Sequence, residues 1–571
     1  MKYNKIITAL IALGLFTLSC GNDYLTEKPY SFDNTGHTDA TTVDAQIVGL
    51  HRIFAELWGW SDHQGFLSCW QIGTDVCSAG ATEGVENPFY QYADLNSENA
   101  GVSYLWQKCY EFINNANLII AAVGDDNKPA NAEARFFRAY AYNILVTLWG
   151  DVPLVAEPVV VPTFDFTRQS VADVDNLIDE DLQYGIANLP DLGKAAKPSR
   201  INKDMARQLA AEAYLRMGMR DNSYFAKAEQ SASAIIDGGN YKLIEDRYGK
   251  FLGEGGDAYR DMFRFGNQRR SQGNTEGIWV FEMEYNNQVT GGTIDNPQQR
   301  RVWQPALHKI TAGAFTQLNC DSLGGRGNGR LRLSNFMKYT VWKGLEGDIR
   351  NSNYNIRRVV PYVLGSDFTG TDIAVNASGF HVADDAADKV KTVHVINGDP
   401  VIPYEADSLE VLYPYCTKWG GYDPTDDFGY AIVKDWPIMR LGETYLLRAE
   451  ARFRQGNTAG AAADINKLRD RAFKTARTNT GNAALGSVSA SDITADFILD
   501  ERARELIGEE NRRMTLTRTN KLADRIPMNG DTSPTGKVIT GFDANKNILL
   551  PIPLSEIQMN KDAELKQNPG Y

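Results

Sequence analysis

Residues that carry metal and nucleophilic chemistry are scarce in this chain of 571 residues, which contains only six His and six Cys. The His residues are scattered and no CxxC pair occurs, so the spacing indicates no metal site. The GxSxG, HExxH, P-loop and GxGxxG motifs of hydrolases, metalloproteases and nucleotide-binding enzymes are also absent. The sequence therefore predicts neither a catalytic residue nor a metal or other cofactor.

Two further absences narrow the class of protein. Lys and Arg number 59 against 72 Asp and Glu, and the resulting net charge of −13 argues against a nucleic-acid-binding surface. Beyond residue 19 no apolar run reaches the ~18 residues of a membrane-spanning helix. The apolar content of 43% and the charged content of 23% are ordinary for a globular protein with a large core.

The N-terminal residues predict a lipoprotein signal peptide. Lys2 and Lys5 supply positive charge, and the apolar stretch 6–18 is too short to span a membrane. Ser19-Cys20 follows at once, and a small residue before Cys is the cleavage pattern of lipoproteins. We therefore expect removal of residues 1–19 and lipidation of Cys20, which would anchor the protein. An ordinary secretion signal with a chance Cys is the alternative.

Cysteine pairing is open at this point. Five Cys follow Cys20, namely Cys69, Cys77, Cys109, Cys320 and Cys416. Cys69 and Cys77 are near enough in sequence to form a disulfide in an oxidising compartment, whereas buried free thiols are the alternative.

The stretch 132–154, AEARFFRAYAYNILVTLWGDVPL, predicts a long amphipathic helix. Its apolar residues recur at three- and four-residue steps, which gives one broad apolar face for a core. Gly150 and Pro153 are expected to end this helix, since Gly favours helix ends and Pro cannot continue one. The same string resembles the characteristic helix of the SusD/RagB family.

Other segments carry the same resemblance, in the family's order along the chain. They are the opening with Cys20, Tyr24, Leu25 and Pro29, the strings MRLGETYLLRAEA at 439–451 and LDERARELIGEENRR at 499–513, and the closing stretch 549–571 with PIPLSEIQMN and QNPGY. The resemblance implies a mostly α fold of four tetratricopeptide-like helix pairs in a single compact unit, and a binding protein without catalysis.

An internal repeat supports a helical scaffold independently. Residues 211–218, AEAYLRMG, and residues 449–456, AEARFRQG, align without a gap, and an Ala-rich segment follows each. This helix–turn–helix pattern is similar to a tetratricopeptide repeat. Gly218 and Gly456 are each expected to end a helix in the left-handed region of backbone conformation.

Between the helices the sequence changes character. Residues 246–276 and 291–332 are rich in Gly, Asn, Arg and aromatic residues with little periodicity, which is typical of loops. Residues 278–285, IWVFEMEY, predict a short strand, and β-like runs follow at 354–376 and 392–403. These segments therefore predict loops and short strands beside the helices.

The predicted organisation is a signal peptide at 1–19 and one SusD-like unit at 20–571. Its helical scaffold is expected at about residues 40–240 and 436–525 from the helical patterns. The irregular subdomain of loops and short strands is expected at about residues 241–435 from the loop composition.

Aromatic residues are concentrated in residues 58–92, among Gly and polar residues. An aromatic ring can cover the C–H face of a sugar while polar side chains bond its hydroxyls, and such sites use loops. For each Trp, burial in the core is the alternative; the Gly73-Thr74-Asp75 string offers a structural turn as the alternative role of Asp75. Trp149 and Trp279, in regular elements, are expected in the core. The candidate ligand-binding residues are Trp58, Trp60, Trp70, Tyr90 and Trp303, with Asp62, Asp75 and Asn87 as polar partners.

The SusD/RagB resemblance implies a surface lipoprotein in the outer membrane that faces the cell exterior. It would bind oligosaccharides or polysaccharide and deliver them to a SusC-like TonB-dependent outer-membrane barrel, with ligand favouring the closed lid. Binding of a peptide or another non-glycan nutrient is the alternative within the family, because a fold does not fix its ligand. A surface glycosidase and a tetratricopeptide scaffold that binds only proteins are alternatives from other classes.

Overall fold

The computed structural model describes most of the chain. The described residues are 40–59, 64–195, 197–283, 298–306, 324–361, 373–376, 379–382, 392–394, 413–421, 434–531 and 537–571. They fall into two compact units, Met1–Ala45 and Gln46–Tyr571, of which the first contributes only residues 40–45 of one helix. The core, the sheets and the candidate sites lie in the second unit.

Helices dominate the described residues, which confirms the prediction of a mostly α fold. They are α1 Ala40–Trp58, α2 Gln64–Ser68, α3 Ala100–Val123, α4 Lys128–Trp149, α5 Val171–Asn188, α6 Lys203–Gly218, α7 Ser223–Ile236, α8 Ala258–Asp261, α9 Gln299–Trp303, α10 Asn335–Lys338, α11 Leu441–Arg454, α12 Thr458–Thr480, α13 Ala495–Leu506, α14 Arg512–Arg518, α15 Leu522–Arg525, α16 Ala544–Asn547 and α17 Leu554–Met559. Helices α3 and α4, α6 and α7, and α11 and α12 pack as neighbours, each pair joined by a short turn. Among the described residues, no helix is both long and apolar enough to cross a membrane.

The strands of the described residues form two-stranded antiparallel ladders. The pairs are β1 Cys77–Ala79 with β5 Leu331–Leu333, β2 Val152–Pro153 with β3 Arg168–Gln169, β4 Gly277–Phe281 with β12 Trp436–Arg440, β6 Ile356–Arg357 with β11 Tyr415–Cys416, β7 Val359–Pro361 with β10 Thr392–His394, and β8 Ile373–Asn376 with β9 Gly379–Val382. Strand β4 confirms the strand predicted from residue 278. Strands β6, β7, β8 and β10 lie within the predicted β-like runs. The division into a scaffold and an irregular subdomain stays a prediction.

Helix α4 contains the segment from which the family resemblance begins. It starts earlier than the apolar pattern, because the Asn127 side chain accepts a hydrogen bond from the Ala130 amide at 3.3 Å and caps the helix. It ends where predicted, at Gly150, whose φ of +74° favours glycine. Residues 130–149 are buried, apart from a half-buried Arg135. This helix is therefore a central element of the core.

The repeat is confirmed as two helix–turn–helix units, α6–α7 and α11–α12. Gly456 has φ +81°, as predicted for a left-handed helix end. The prediction for Gly218 is wrong, because it is the last residue of α6 and is not among the glycines of positive φ. Its role is steric: a Cβ there would lie 2.4 Å from the ring of Phe225 on α7. The two glycines share a sequence position and differ in function.

An aromatic core joins α1, α4 and β4. Trp279 of β4 and Trp149 of α4 are fully buried, which confirms both core predictions. The Trp279 ring lies 4.5 Å from Phe54 of α1 and 5.6 Å, edge to face, from Phe136 of α4, measured between centroids. Such pairs stabilise a core beyond the burial of their area.

A second core, around α11, α12 and α13, is ionic. Arg440 Nη1 lies 2.9 Å from Glu276 Oε1, and Arg471 Nη1 lies 2.8 Å from Glu276 Oε2. Glu505 of α13 accepts from both arginines and from Arg350, whose Nη1 lies 2.9 Å from Oε2. The pKa of Glu505 is held well below its usual range because these guanidinium groups outweigh its burial. Charged residues of both family-like strings, such as Arg440 and Glu505, therefore lie inside the molecule.

The described cysteines are free. Cys69, Cys77, Cys109 and Cys416 are all buried thiols, so the free-thiol alternative is the one observed. Burial raises the pKa of the Cys69 and Cys77 thiols, which makes them unreactive near neutral pH. Cys320 and the predicted lipid-bearing Cys20 lie outside the described residues.

Candidate functional site

The N-terminal aromatic segment and the central segment meet in the structure. Strand β1 pairs with β5, and the ladder continues where the Gly80 amide donates to the Arg330 carbonyl at 2.8 Å. The Ala81 amide donates to the Gly329 carbonyl at 2.7 Å. We call the region formed by residues 64–91 and 324–333 the loop junction. Two segments that sequence analysis treated separately therefore share one region.

A half-buried aromatic pair lies at the loop junction. Phe66 of α2 stacks on Tyr104 of α3, with ring centroids 4.3 Å apart and planes inclined by 19°. The Tyr104 hydroxyl donates to the Glu56 carbonyl at 2.8 Å, and this hydrogen bond fixes the Tyr104 ring. Both rings keep part of their surface exposed, and half-buried parallel rings are the kind of platform on which the C–H groups of a sugar can stack.

An ion pair stands beside this platform. Arg330 Nη2 lies 2.8 Å from Glu83 Oε1, and both side chains are partly exposed, at 18% and 24%. Glu83 Oε2 also accepts from the amide of Gly65, the neighbour of Phe66, at 3.0 Å. The pair therefore ties the N-terminal segment, the central segment and α2 together, and it places a donor and an acceptor next to the platform. Sugar hydroxyl groups require both.

None of these four residues is among the candidates predicted from the sequence. Phe66 lies in the aromatic segment 58–92, from which other residues were chosen. Tyr104 lies outside that segment, and Glu83 and Arg330 are far apart in sequence. Only the β1–β5 pairing brings them together.

Trp58 is the predicted Trp that keeps partial exposure among those described. It ends α1, donates its indole N–H to the Tyr140 hydroxyl, and lies parallel to Trp70 with centroids 5.9 Å apart. Trp58 also lines an internal cavity of about 70 Å³ together with Trp419. That volume suits a few water molecules rather than a sugar ring. Trp58 thus stays a candidate only at its surface edge.

Three other predicted aromatics are buried. Trp70 is 4% exposed, and Tyr90 and Trp303 are each 5% exposed. The Tyr90 hydroxyl lies 3.3 Å from Oδ1 of the half-buried Asn87, so two predicted residues bond to each other. A ring that a sugar covers needs an open face, and these three rings lack one in this structure.

Asp75 has the structural role that was its alternative. It is fully buried, and its carboxylate lies 2.6 Å from Arg512 Nη2 and 2.8 Å from Arg525 Nε. Gly73, two residues earlier, has φ +71°, as a turn requires. These contacts leave no open edge for a ligand. The two remaining predictions, Trp60 and Asp62, lie outside the described residues.

The internal cavity has one unusual carboxyl group. Glu443 of α11 bonds to Gln208 Nε2 at 3.0 Å and to Arg502 Nη2 at 3.2 Å. Burial nevertheless raises the pKa of Glu443 to about 7, and Glu212 on the same cavity adds to the rise. Among the described residues, no group of three or more His, Cys, Asp or Glu is placed to hold a metal ion. Among its described residues, the cavity therefore contains a carboxyl group with a raised pKa, that of Glu443, and no cluster of metal ligands.

Two family models match the chain. The one described as "SusD family" matches residues 340–571, and the one described as "Starch-binding associating with outer membrane" matches residues 23–215. SusD-like protein P25 of Formosa agariphila is 24% identical over 586 residues, which cover 98% of this chain and 97% of that protein.

Solved structures show the same fold. A laminarin-binding SusD-like protein aligns with a TM-score of 0.64 and 20% identity, covering 93% of this chain and 100% of that chain. The surface glycan-binding protein A of Bacteroides thetaiotaomicron, in complex with laminarihexaose, aligns with a TM-score of 0.64 and 18% identity, covering 93% and 99%. Both sequence models, the full-length relative and the fold agree with the resemblance seen in the sequence, and the chain belongs to the SusD/RagB family.

Proposed function

We propose that this protein is a surface glycan-binding lipoprotein whose ligand docks on the loop junction. The observation that carries the proposal is the Phe66–Tyr104 platform beside the Glu83–Arg330 pair. It supplies a stacking surface together with a charged donor and acceptor, which is the chemistry that an oligosaccharide requires. Trp58, Trp60, Asp62 and Asn87 stay secondary candidates around it.

Family membership supports the wider role. The protein would be anchored by lipid on Cys20 to the outer membrane, face the exterior, and pass oligosaccharides to a SusC-like TonB-dependent barrel. Ligand binding would favour the closed lid if the closed state adds contacts to the ligand. The description of the matching family as outer-membrane-associated agrees with this location. Replacing Cys20 with Ala should release the protein from membranes or block its processing, and unchanged fractionation would contradict the anchor.

Glycan is favoured over a peptide by what the structural neighbours bind. One is named for laminarin and another was solved with laminarihexaose. Binding without catalysis is favoured over a glycosidase by the loop junction itself, where Glu83 forms an ion pair with Arg330 and accepts a hydrogen bond from the Gly65 amide. A glycosidase needs two positioned carboxyl groups, one of them protonated.

The test uses the soluble chain from Asn22 onward and a calorimetric panel of oligosaccharides that includes laminarihexaose. Phe66→Ala should weaken binding of the preferred glycan by about 2 kcal/mol, or roughly thirtyfold. Tyr224→Ala, a half-buried ring on scaffold helix α7, is the matched control and should leave affinity unchanged. Normal binding by Phe66→Ala would refute the site, and hydrolysis of any panel member would favour the glycosidase.

A further inference from the structure

A separate pocket lies between α3, the strap 153–166 and α17. Its volume is about 280 Å³, and its walls include Trp106, Tyr110, Phe164 and Phe166. The volume is about twice that of an apolar cavity that holds benzene. No residue of the loop junction lines it. The pocket is therefore a second concave site of ligand size.

Exposed apolar side chains lie on the pocket wall and on the strap beside it. Val160 and Val161 of the strap are 67% and 66% exposed, and Met559 of α17 is 54% exposed. Large apolar side chains at such exposure form a patch that loses its contact with water when something binds.

Most polar atoms of the pocket wall already have partners. Asn114 Oδ1 accepts from the Val159 amide at 2.8 Å, and the Tyr110 hydroxyl donates to the Pro153 carbonyl at 2.8 Å. Asn560 holds the backbone of Phe166 with both its oxygen and its nitrogen, each at 2.8 Å. A sugar ring would leave its hydroxyl groups unsatisfied here, which disfavours it strongly.

Glu556 is the exception. Among the described residues that line the pocket, it alone carries a charge. Its hydrogen bonds to Trp106 and Gln107 occupy part of its capacity, since a carboxylate accepts about four. Among the described residues, Glu556 has no ion-pair partner, and burial raises its pKa.

We propose that this pocket binds a small organic amine, with its apolar body among the four rings and its ammonium at Glu556. An ammonium beside aromatic faces and a half-buried carboxylate gains from both, and the apolar body fills a volume that suits about ten heavy atoms. Lys561 shows the affinity of this wall for cations, because its Nζ lies 4.8 Å from the Phe164 ring centroid. Lys561 itself does not line the pocket.

The test compares three probes of one shape by calorimetry near neutral pH: 2-phenylethylammonium, 2-phenylethanol and 3-phenylpropionate. The amine should bind at least about tenfold more tightly than the alcohol, and the acid should not bind. Glu556→Gln should weaken the amine about tenfold and leave the alcohol within about twofold. Equal affinity for amine and alcohol, or binding of none, would overturn the proposal.

Two strap variants separate filling of the pocket from changes at its rim. Val159→Trp places an indole in the pocket and should weaken both amine and alcohol about tenfold or more. Val161→Trp adds the same ring outside it and should change neither. If Val159→Trp fails to fold, as judged by circular dichroism, Thr163→Trp fills the same space. Equal weakening by Val161→Trp would overturn the proposal, and glycan affinity should be unchanged in every variant.

Discussion

The aromatic core and the ionic core of this molecule solve the same packing problem with opposite chemistry. In the first, Trp279 lies among rings from α1 and α4, and burial of apolar area stabilises it. In the second, Glu505 lies among three arginines, and each buried charge depends on its partners. The first tolerates changes of pH, whereas the second requires its carboxylates to be ionised.

The largest effect should come from removing the centre of the ionic core. Glu505→Ala takes an acceptor from Arg350, Arg440 and Arg471 at once, and should cost about 3–5 kcal/mol in the free energy of unfolding. Urea unfolding measures this. A loss below about 1 kcal/mol would show that the remaining carboxylates re-pair with the arginines.

The pH dependence of that loss has a definite sign. The folded pKa of Glu505 is lowered, so its contribution is present above the ordinary carboxyl pKa and is lost as pH falls through the folded value. The gap between wild type and Glu505→Ala should therefore shrink in acid. A gap that stays constant down to acid unfolding would contradict the electrostatic account.

The aromatic core should give a smaller effect without that dependence. Trp279→Phe removes part of the indole and leaves a cavity among Phe54 and Phe136, at a cost of about 2–3 kcal/mol. The same unfolding series should show a constant difference from wild type across pH, because no titrating group is lost. A difference that varied with pH would mean that the two cores are coupled.

The two repeat glycines, Gly218 and Gly456, allow a further comparison of the two cores. Gly218 lies next to the aromatic core, and Gly456 lies next to the ionic core. Helix α6 packs on α4 and β4, and Gly218→Ala would push its Cβ into Phe225, at a cost of about 1–3 kcal/mol. Gly456→Ala meets no atom within 4 Å, so only its positive φ opposes the change, at about 1 kcal/mol. The double variant Gly218→Ala, Phe225→Leu should recover part of the first loss. No recovery would argue against the steric role.

Sequence patterns predicted the aromatic side of the molecule well. The spacing of apolar residues predicted α4, because periodicity reports directly on burial. The aromatic and β-branched content of residues 278–285 predicted the strand that the structure has at Gly277–Phe281. Sequence patterns could not distinguish the role of Gly218 from that of Gly456, since the role of Gly218 depends on its contact with Phe225 of the following helix.

The ionic side and the candidate site were less accessible to sequence reasoning. Buried charged residues follow no hydrophobic period, and the partners Asp75 and Arg512 are far apart in the chain. The loop junction depends on the β1–β5 pairing across the same kind of distance. Whether a Trp in a loop faces solvent is set by such tertiary contacts. Trp70 and Trp303 were proposed as ligand contacts with burial as the alternative, and both are buried.

The smallest expected effect on the free energy of unfolding is a stabilisation. Glu443 lies at the edge of the ionic core, faces Arg502, Glu212 and Glu510 across the cavity, and has a pKa of about 7. Because this folded pKa exceeds the ordinary carboxyl value, ionisation of Glu443 costs stability as pH rises from about 4.5 through 7.

Glu443→Gln removes that cost but weakens the bond to Arg502, so the net gain near pH 8 should be only about 1 kcal/mol. The gain should vanish near pH 5, where wild-type Glu443 is protonated in the folded state. Thermal unfolding at the two pH values measures the difference, and Glu245→Gln, an exposed carboxyl elsewhere, is the matched control. Destabilisation near pH 8 would show that Arg502 holds Glu443 ionised. Glu443 would then belong fully to the ionic core, and the ionic core would extend to the wall of the cavity.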